Sequence, residues 1–254
     1  MMCQPLLFLL YIRCFAPTAL ECWPGVQLRK CLQNWGPMVR LSIPGVFVVL
    51  SEWLAFDILT FSASYLSTQH LAAQSVLMTI AVMIYHIPFP TGVAASTRFG
   101  NLIGYGDVAA ARVAFNTHYL IFFGIGAFDM VLLTTMRHVI AQTFTADPTV
   151  RALIVAVLPI VAAAQTFDAM SALSNGLMRG LGKQHVAGWV NMCVYYLFAV
   201  PLSLFLTFGP PKLALLGLWT GPLIGLGVCA FSLYVYMRMY DWRMAVQEAR
   251  DREE

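Results

Sequence analysis

The sequence predicts an all-α membrane protein, a bundle of six helices that each cross the bilayer. Hydrophobic residues make up 59% of the chain and charged residues only 11%, whereas about 25% of a soluble domain is charged. The mean hydropathy is +0.73. Six apolar runs are each long enough to cross a hydrocarbon core of about 30 Å at a rise of about 1.5 Å per residue. Together these observations place the chain among polytopic membrane proteins.

The six predicted spans are separated by turns and by polar or charged segments. They cover residues 41–66, 71–93, 115–135, 150–177, 186–208 and 213–237. Pro88 and Pro90 are expected to kink or end the second span, because proline lacks the backbone N–H. Residues 94–114 are predicted to form a polar connection, and residues 136–149 a shorter one.

Two further segments flank this lobe of residues 41–237. Residues 1–40 are predicted to be a partial helix followed by a cytoplasmic loop, and residues 238–254 a charged tail that is helical at the surface. With six spans, eleven Lys and Arg residues fall on one side of the membrane and three on the other. The positive-inside rule therefore predicts that the loop, the tail and the C-terminus are cytoplasmic.

The first span carries two acids near its middle, Glu52 and Asp57. A charge at the bilayer centre costs at least about 2.5–3.5 kcal/mol on insertion scales, so such residues are usually buried among helices and functional. Five positions on an α-helix separate the two carboxyl groups by about 140°, so they do not share one face. Because burial disfavours the charged form of a carboxyl group, Glu52 can take up a proton on one side of the membrane and release it on the other.

A polar stripe in the fourth span contains a third acid, Asp168. Gln165, Asp168, Ser171 and Asn175 fall within an arc of about 120° on one helix. Such a stripe is predicted to face protein or water, either as part of a site or for interhelical hydrogen bonds alone. Asp129 lies towards the non-cytoplasmic end of the third span, where it can also reach the interface.

Signatures of enzymes, metal sites and bound cofactors are lacking, so a non-enzymatic protein is predicted. The sequence GLMRGLGK at residues 176–183 resembles a phosphate loop, but its spacing is wrong and Gln184 stands where Ser or Thr should follow the lysine. The six cysteines show no metal-ligand spacing. Dispersed basic residues and a net charge of +3 argue against nucleic-acid binding.

Several short motifs follow one another in a specific order between about residues 21 and 240. They are CLQNW at 31–35, Pro44 followed by EW at 52–53 and Asp57, AQS at 73–75, AASTRFGN at 94–101, GYGD at 104–107, Pro159 with FDA at 167–169, RGLG at 179–182, and Asn191 with YY at 195–196 and Pro201. In this order the chain resembles the C-terminal half of a multidrug and toxic compound extrusion (MATE) transporter of the eukaryotic kind.

The resemblance implies a proton-coupled antiporter that exports organic cations, drugs or other xenobiotics. Its implied partners are the organic cation, protons and the lipid bilayer. Glu52 and Asp168 are implied to take part in proton coupling and substrate binding, and Asp57 to line or shape the same cavity. Thr79 stands where related members often carry an acid, which removes one charge from the cavity. The cavity-lining candidates are Gln74, Thr79, Gln165, Asn175, Asn191 and Tyr195.

The resemblance implies an architecture of two six-helix lobes around a central cleft. A missing N-terminal lobe is therefore also an implied partner. Transporters of this kind need two repeats that rock against each other. Two alternatives remain open: a non-transporting fragment that works only by assembling with another chain, and an intramembrane enzyme or lipid-linked glycan flippase of related architecture. The implied location is the plasma or vacuolar membrane, with the protein integral and multi-pass.

Overall fold

A computed structural model describes residues 10–12 and 35–250 of the chain. The chain divides into two units, residues 1–40 and 41–254, and most of the partial helix and loop predicted at residues 1–40 lies outside the described residues. All regular structure in the described part is helical. The helices are α1 (Trp35–Ser64), α2 (Thr68–Tyr85), α3 (Pro88–Gly104), α4 (Val108–Phe144), α5 (Pro148–Gly180), α6 (Gln184–Met192), α7 (Val200–Phe208), α8 (Ala214–Met239) and α9 (Trp242–Arg250).

Six segments of the described part are long and apolar enough to cross a membrane. They are Gly45–Ser64, Thr68–Gly104, Val108–Phe144, Pro148–Gly180, Gln184–Phe208 and Ala214–Met239. The predicted class, an all-α membrane protein with six spanning segments, is therefore confirmed.

The second span is longer than the sequence predicted. Pro88 stands in the first turn of α3, where its missing N–H leaves no hydrogen bond broken, so the prolines restart the helix after a two-residue turn. Residues 94–104 are helical, and the prediction of a polar connection over residues 94–114 is wrong: only residues 105–107 separate α3 from α4. Ala95, Phe99 and Ile103 are buried one turn apart, so one apolar face anchors this otherwise polar segment.

The third span also runs further than predicted, since α4 continues to Phe144. Only residues 145–147 connect α4 to α5. Asp147 begins α5 by accepting hydrogen bonds on its side chain from the backbone N–H groups of Thr149 and Val150, at 2.7 and 3.3 Å. Two otherwise unsatisfied donors at the start of the helix are thereby satisfied.

Helix α5 lies at the centre of the bundle and packs against α2, α3, α4 and α8. All eight residues from Ser171 to Met178 are buried. No other described helix has eight consecutive buried residues. Around one half of α5 the core contains Phe99, Phe115 and Phe122. Around the other half it contains Leu77 and Trp219. A polar side chain on α5 is therefore held inside the protein.

Small residues let α3 and α5 approach closely. The Ser96 hydroxyl donates to the Gly176 carbonyl at 2.6 Å, and a Cβ on Gly180 would lie 2.9 Å from the Ser96 carbonyl oxygen. Gly100 faces Gly180, whereas Gly104, which forms a GxxxG spacing with Gly100, has open space around it. Gly100, Gly176 and Gly180 therefore form the small-residue contact between α3 and α5. Gly104 does not take part in it.

The fifth span changes its winding in the middle. Residues Cys193–Ala199 form a π-helical segment between α6 and α7. Pro201 follows within the first turn of α7 and lacks the N–H that would continue the regular hydrogen-bond ladder. Wide turns of this kind re-aim side chains and are frequent at functional sites. Tyr195, one of the cavity-lining candidates, lies within this segment and is buried.

Helix α9 in the charged tail docks back onto the bundle through Trp242. The Trp242 indole is only 6% exposed, and its Nε1 donates to the Met237 carbonyl at 2.8 Å. Its ring meets the rings of Phe99 and Phe115 edge-on, with centroids 5.5 and 5.3 Å apart. Residues Trp242–Arg250 of the tail are helical, and Trp242 and Ala245 belong to the core of the lobe and do not lie at its surface.

Candidate functional site

Two acids from different spans converge inside the bundle. Asp168 on α5 is buried, with 8% of its surface exposed, and Glu52 on α1 is partly buried beside the fully packed Ser51. The two carboxyl groups are close enough to interact electrostatically. Each acid stands out in the sequence because it interrupts an apolar run, and the family resemblance implied one role for both; in the structure they lie near each other.

Two tyrosines and a cysteine lie near this pair of acids. Tyr195 interacts electrostatically with both carboxyl groups and also with Tyr85 and Cys229. Five elements therefore meet here: α1, α2, α5, α8 and the π-helical segment. Tyr195 was among the candidates predicted from the sequence, whereas Tyr85 and Cys229 were not, because a single tyrosine or cysteine in an apolar helix carries no distinguishing pattern.

The polar stripe of α5 is buried along its whole length, as predicted for a stripe that avoids lipid. Asn175 donates from Nδ2 to the Ser171 hydroxyl at 3.5 Å, and Asn191 on α6 donates to Asn175 Oδ1 at 3.4 Å. Gln165 is also buried, with 5% of its surface exposed. The C-terminal part of the stripe thus links α5 to α6, while Asp168 lies near Glu52 of α1.

Gln74 on α2 holds a buried hydrogen-bonded position in the second half of the core. Its Oε1 accepts from Trp219 Nε1 at 2.8 Å, and its Nε2 donates to the Thr60 hydroxyl at 3.4 Å. Both Gln74 and Trp219 are at most 2% exposed. This amide joins α2 to α1 and α8, which is a structural role alongside any contact with a substrate.

Replacing Gln74 with Leu is expected to lower the free energy of unfolding by about 1–3 kcal/mol, because the buried Trp219 N–H loses its acceptor. Thermal melting of the purified protein in detergent measures this effect. In a Trp219→Phe background the same Gln74 change should cost much less, since no donor is then left unsatisfied. Equal costs in both backgrounds would show that the hydrogen bond is not responsible.

Two other predicted residues lie away from the pair of acids. Asp57 is exposed on α1, at the angle from Glu52 that the helical spacing predicts. Thr79 is exposed on α2, and its hydroxyl donates to the Ser75 carbonyl of the preceding turn at 2.8 Å. Neither side chain is brought to the Glu52–Asp168 site in this lobe.

Asp129 on α4 is buried, with 1% of its surface exposed, so it does not reach the interface. Neither carboxyl oxygen has a hydrogen-bond partner among the described residues. A buried, unsatisfied acid of this kind is costly. The structure offers no physical reason for its presence.

The pair of acids is suited to holding a positive charge. Among the described residues, no hydrogen bond or ion pair is formed by the carboxyl group of Glu52 or Asp168. Two carboxylates this close repel each other when both are ionised, so a proton or a cationic group stabilises the pair. This electrostatic property favours a bound positive charge at the site.

Comparison with known proteins identifies the family. The MatE family model matches residues 44–205. The chain is 36% identical to multidrug and toxin extrusion protein 2 of Mus musculus over 92% of its own length. It is 35% identical to an uncharacterized transporter of Schizosaccharomyces pombe over 98% of its length. The chain belongs to the MatE family, which confirms the resemblance seen in its motifs.

The solved structures support the same fold. The crystal structure of a eukaryotic MATE transporter, AtDTX14, superimposes on 96% of this chain with a TM-score of 0.88 and 28% identity, and the match covers 54% of that protein. The chain spans only 46% of the Schizosaccharomyces pombe relative and 40% of the mouse one. It corresponds to about half of a MATE transporter.

Proposed function

We propose that this chain is the C-terminal lobe of a proton-coupled antiporter that exports organic cations or other xenobiotics. The observation that carries the proposal is the convergence of Glu52 and Asp168 inside a membrane-spanning bundle. Lipid does not tolerate such charges without a use or a partner, and among the described residues neither carboxyl group has an ion-pair partner. The similarity to proteins named for multidrug and toxin extrusion supports the same activity.

Exchange follows from competition at one site. When the pair of acids binds protons, it has less negative charge to attract a cationic substrate; when the substrate binds, it displaces protons. Tyr195 and Tyr85 add aromatic faces, which attract organic cations. No separate proton gate is needed, provided that the site opens to each side of the membrane in turn.

Alternating access requires a second lobe. Much of α1 presents apolar side chains outward, including Trp53 and Phe61, which are 55% and 64% exposed. Transporters of this type work by rocking one repeat against another. The chain spans less than half the length of the relatives it matches. This supports a second possibility equally well, in which the chain acts only after it assembles with a separate chain that supplies the other lobe.

Reconstitution into vesicles tests the proposed activity. The chain joined to an N-terminal MATE lobe should take up a fluorescent organic cation when a pH gradient is imposed, and the chain alone should not. A sodium gradient at uniform pH is the control for the coupling ion. Uptake driven by sodium and indifferent to pH would contradict proton coupling, and uptake by the chain alone would contradict the need for a second lobe.

The orientation proposed for the lobe places its C-terminus in the cytoplasm of a plasma or vacuolar membrane. The positions of Arg98, Arg179 and Arg238, near helix ends assigned to one side, support this orientation. A tag after Glu254 should therefore resist protease added outside intact cells and be cleaved after permeabilisation. Cleavage in intact cells would reverse the assignment.

A further inference from the structure

A basic cavity lies where α4 begins, α8 ends and α9 begins, at the end of the bundle remote from the turn between α4 and α5. It has a volume of about 520 Å³ and includes Arg112, Asn116 and Arg243 in its lining. A neighbouring cavity of about 270 Å³ shares Arg112, Tyr240 and Trp242 and adds Arg238. The two cavities together form one recess, here called the tail recess, which the proposed transport activity does not use.

Two arginines of the tail recess, Arg112 and Arg238, each lie over an aromatic ring. The Arg112 guanidinium lies over the Trp242 ring, 6.0 Å from its centroid. The Arg238 guanidinium lies over the Tyr234 ring at 5.9 Å and donates one hydrogen bond to Asn116 Oδ1 at 3.4 Å. Because a guanidinium has five N–H donors, most of the donors on both groups are left without a hydrogen-bond partner among the described side chains.

The charge of the tail recess is not neutralised by the described part of the chain. Its lining contains three arginines and one acid, Asp241. That carboxylate accepts from the backbone N–H of Arg243 at 3.0 Å, where it helps to start α9. Among the side chains that the structure describes, no ion pair joins Arg112, Arg238 or Arg243 to a carboxylate. The recess therefore favours an anion.

Guanidinium groups and a membrane-surface position together define the kind of anion. A planar guanidinium matches the oxygens of a phosphate group in a bidentate fashion. The recess lies at the end of two spans. Met239 and Met244, which adjoin its lining residues Tyr240 and Arg243 in the sequence, are 81% and 58% exposed. Apolar side chains next to a basic cavity at the end of membrane helices suit a ligand with a charged headgroup and acyl chains.

We propose that the tail recess binds the phosphate headgroup of an anionic lipid, with Arg112 and Arg238 as the principal ligands. The lipid would pack its headgroup between α4, α8 and α9 and so fix the tail to the bundle. Under the proposed orientation this lipid belongs to the cytoplasmic leaflet, where anionic lipids are concentrated. A free phosphate compound offers the same headgroup chemistry without the acyl chains, and the test separates the two.

Native mass spectrometry of the purified 254-residue chain in detergent measures the binding. The probes are short-chain phosphatidylinositol 4-phosphate, short-chain phosphatidylcholine and inorganic phosphate. The phosphoinositide should bind in preference to phosphatidylcholine. Arg112→Gln and Arg238→Gln should each weaken it about tenfold, as expected for the loss of a hydrogen bond to a charged group.

Arg98→Gln is the matched control. Arg98 is exposed near the same end of the bundle, in a shallow groove on α3, so its removal changes the net charge by the same amount without touching the tail recess. Equal weakening by Arg98→Gln would show that only overall charge matters and would overturn the proposal. Inorganic phosphate that binds as tightly as the phosphoinositide would overturn the lipid as the ligand.

Melting of each variant without lipid checks that the fold is intact, so a loss of binding is not mistaken for unfolding. A variant that melts like the parent yet binds the phosphoinositide equally well would also overturn the proposal. The measurement requires no transport. Its result therefore stands independently of whether Glu52 and Asp168 couple protons to export.

Discussion

Replacing Glu52 with Gln in the two-lobed protein is expected to reduce export driven by a pH gradient to the level of protein-free vesicles. The amide keeps the shape of the side chain and cannot exchange a proton. The substitution also removes the negative charge of Glu52 that lies next to Asp168. The site thereby loses its coupling group and one of the two carboxylates that attract a cation. Uptake of a fluorescent organic cation into vesicles, at matched protein content, measures the effect.

Asp57→Asn is the matched control for this substitution. It changes an acid to its amide on the same helix, five residues away, but at an exposed position outside the Glu52–Asp168 site. We expect a milder loss of export. Unchanged pH-driven transport in Glu52→Gln would remove Glu52 from the coupling role and transfer the proposal to Asp168. Equal losses in the two variants would show that export falls when either acid of the first span loses its charge, whatever its position.

Replacing Gly126 with Val is expected to destabilise the lobe by about 3 kcal/mol, at the upper end of the usual cost of overpacking. A Cβ at this position would lie 2.7 Å from Thr166 Cα. The obstacle is backbone, which cannot turn aside, so α4 and α5 would have to separate. Their separation would also break the hydrogen bond from the Thr166 hydroxyl to the Gly126 carbonyl, now 2.9 Å long.

Gly124→Val provides a control two residues away on the same helix. Gly124 is exposed, and a Cβ there meets nothing within 4 Å. The substitution should leave the melting temperature of the detergent-purified protein nearly unchanged. If both variants melt alike, the close approach of α4 and α5 at Gly126 does not limit stability.

The sequence was sufficient to predict the class of fold and the number of spans, and it singled out Glu52 and Asp168, the two acids that lie near each other in the structure. Long apolar runs dominate the hydropathy, and a carboxyl group inside such a run stands out against it. Helix ends were harder to predict. Pro88 and Pro90 were expected to kink or end the second span, yet the same missing N–H that breaks a helix interior is harmless in a first turn.

Contacts between distant spans could not be predicted. Tyr85 and Cys229 join the site only because α2 and α8 meet α5, and neither residue lies in a pattern that shows this. The same limit applies to Gly124 and Gly126, which are indistinguishable in the sequence although one is open and the other tightly packed. Hydropathy describes how a segment meets lipid; it does not describe which side chains meet each other.

The central position of α5 has a consequence for biosynthesis. Several polar groups on earlier spans find their partners only when α5 is made: the Ser96 hydroxyl bonds to Gly176, and the Tyr119 hydroxyl to that of Ser174. Ser174 follows Tyr119 by 55 residues, which takes roughly 3–11 s at about 5–20 residues per second. During that interval these hydroxyls lack the partners that they have in the folded lobe, and the synthesis of α5 supplies them.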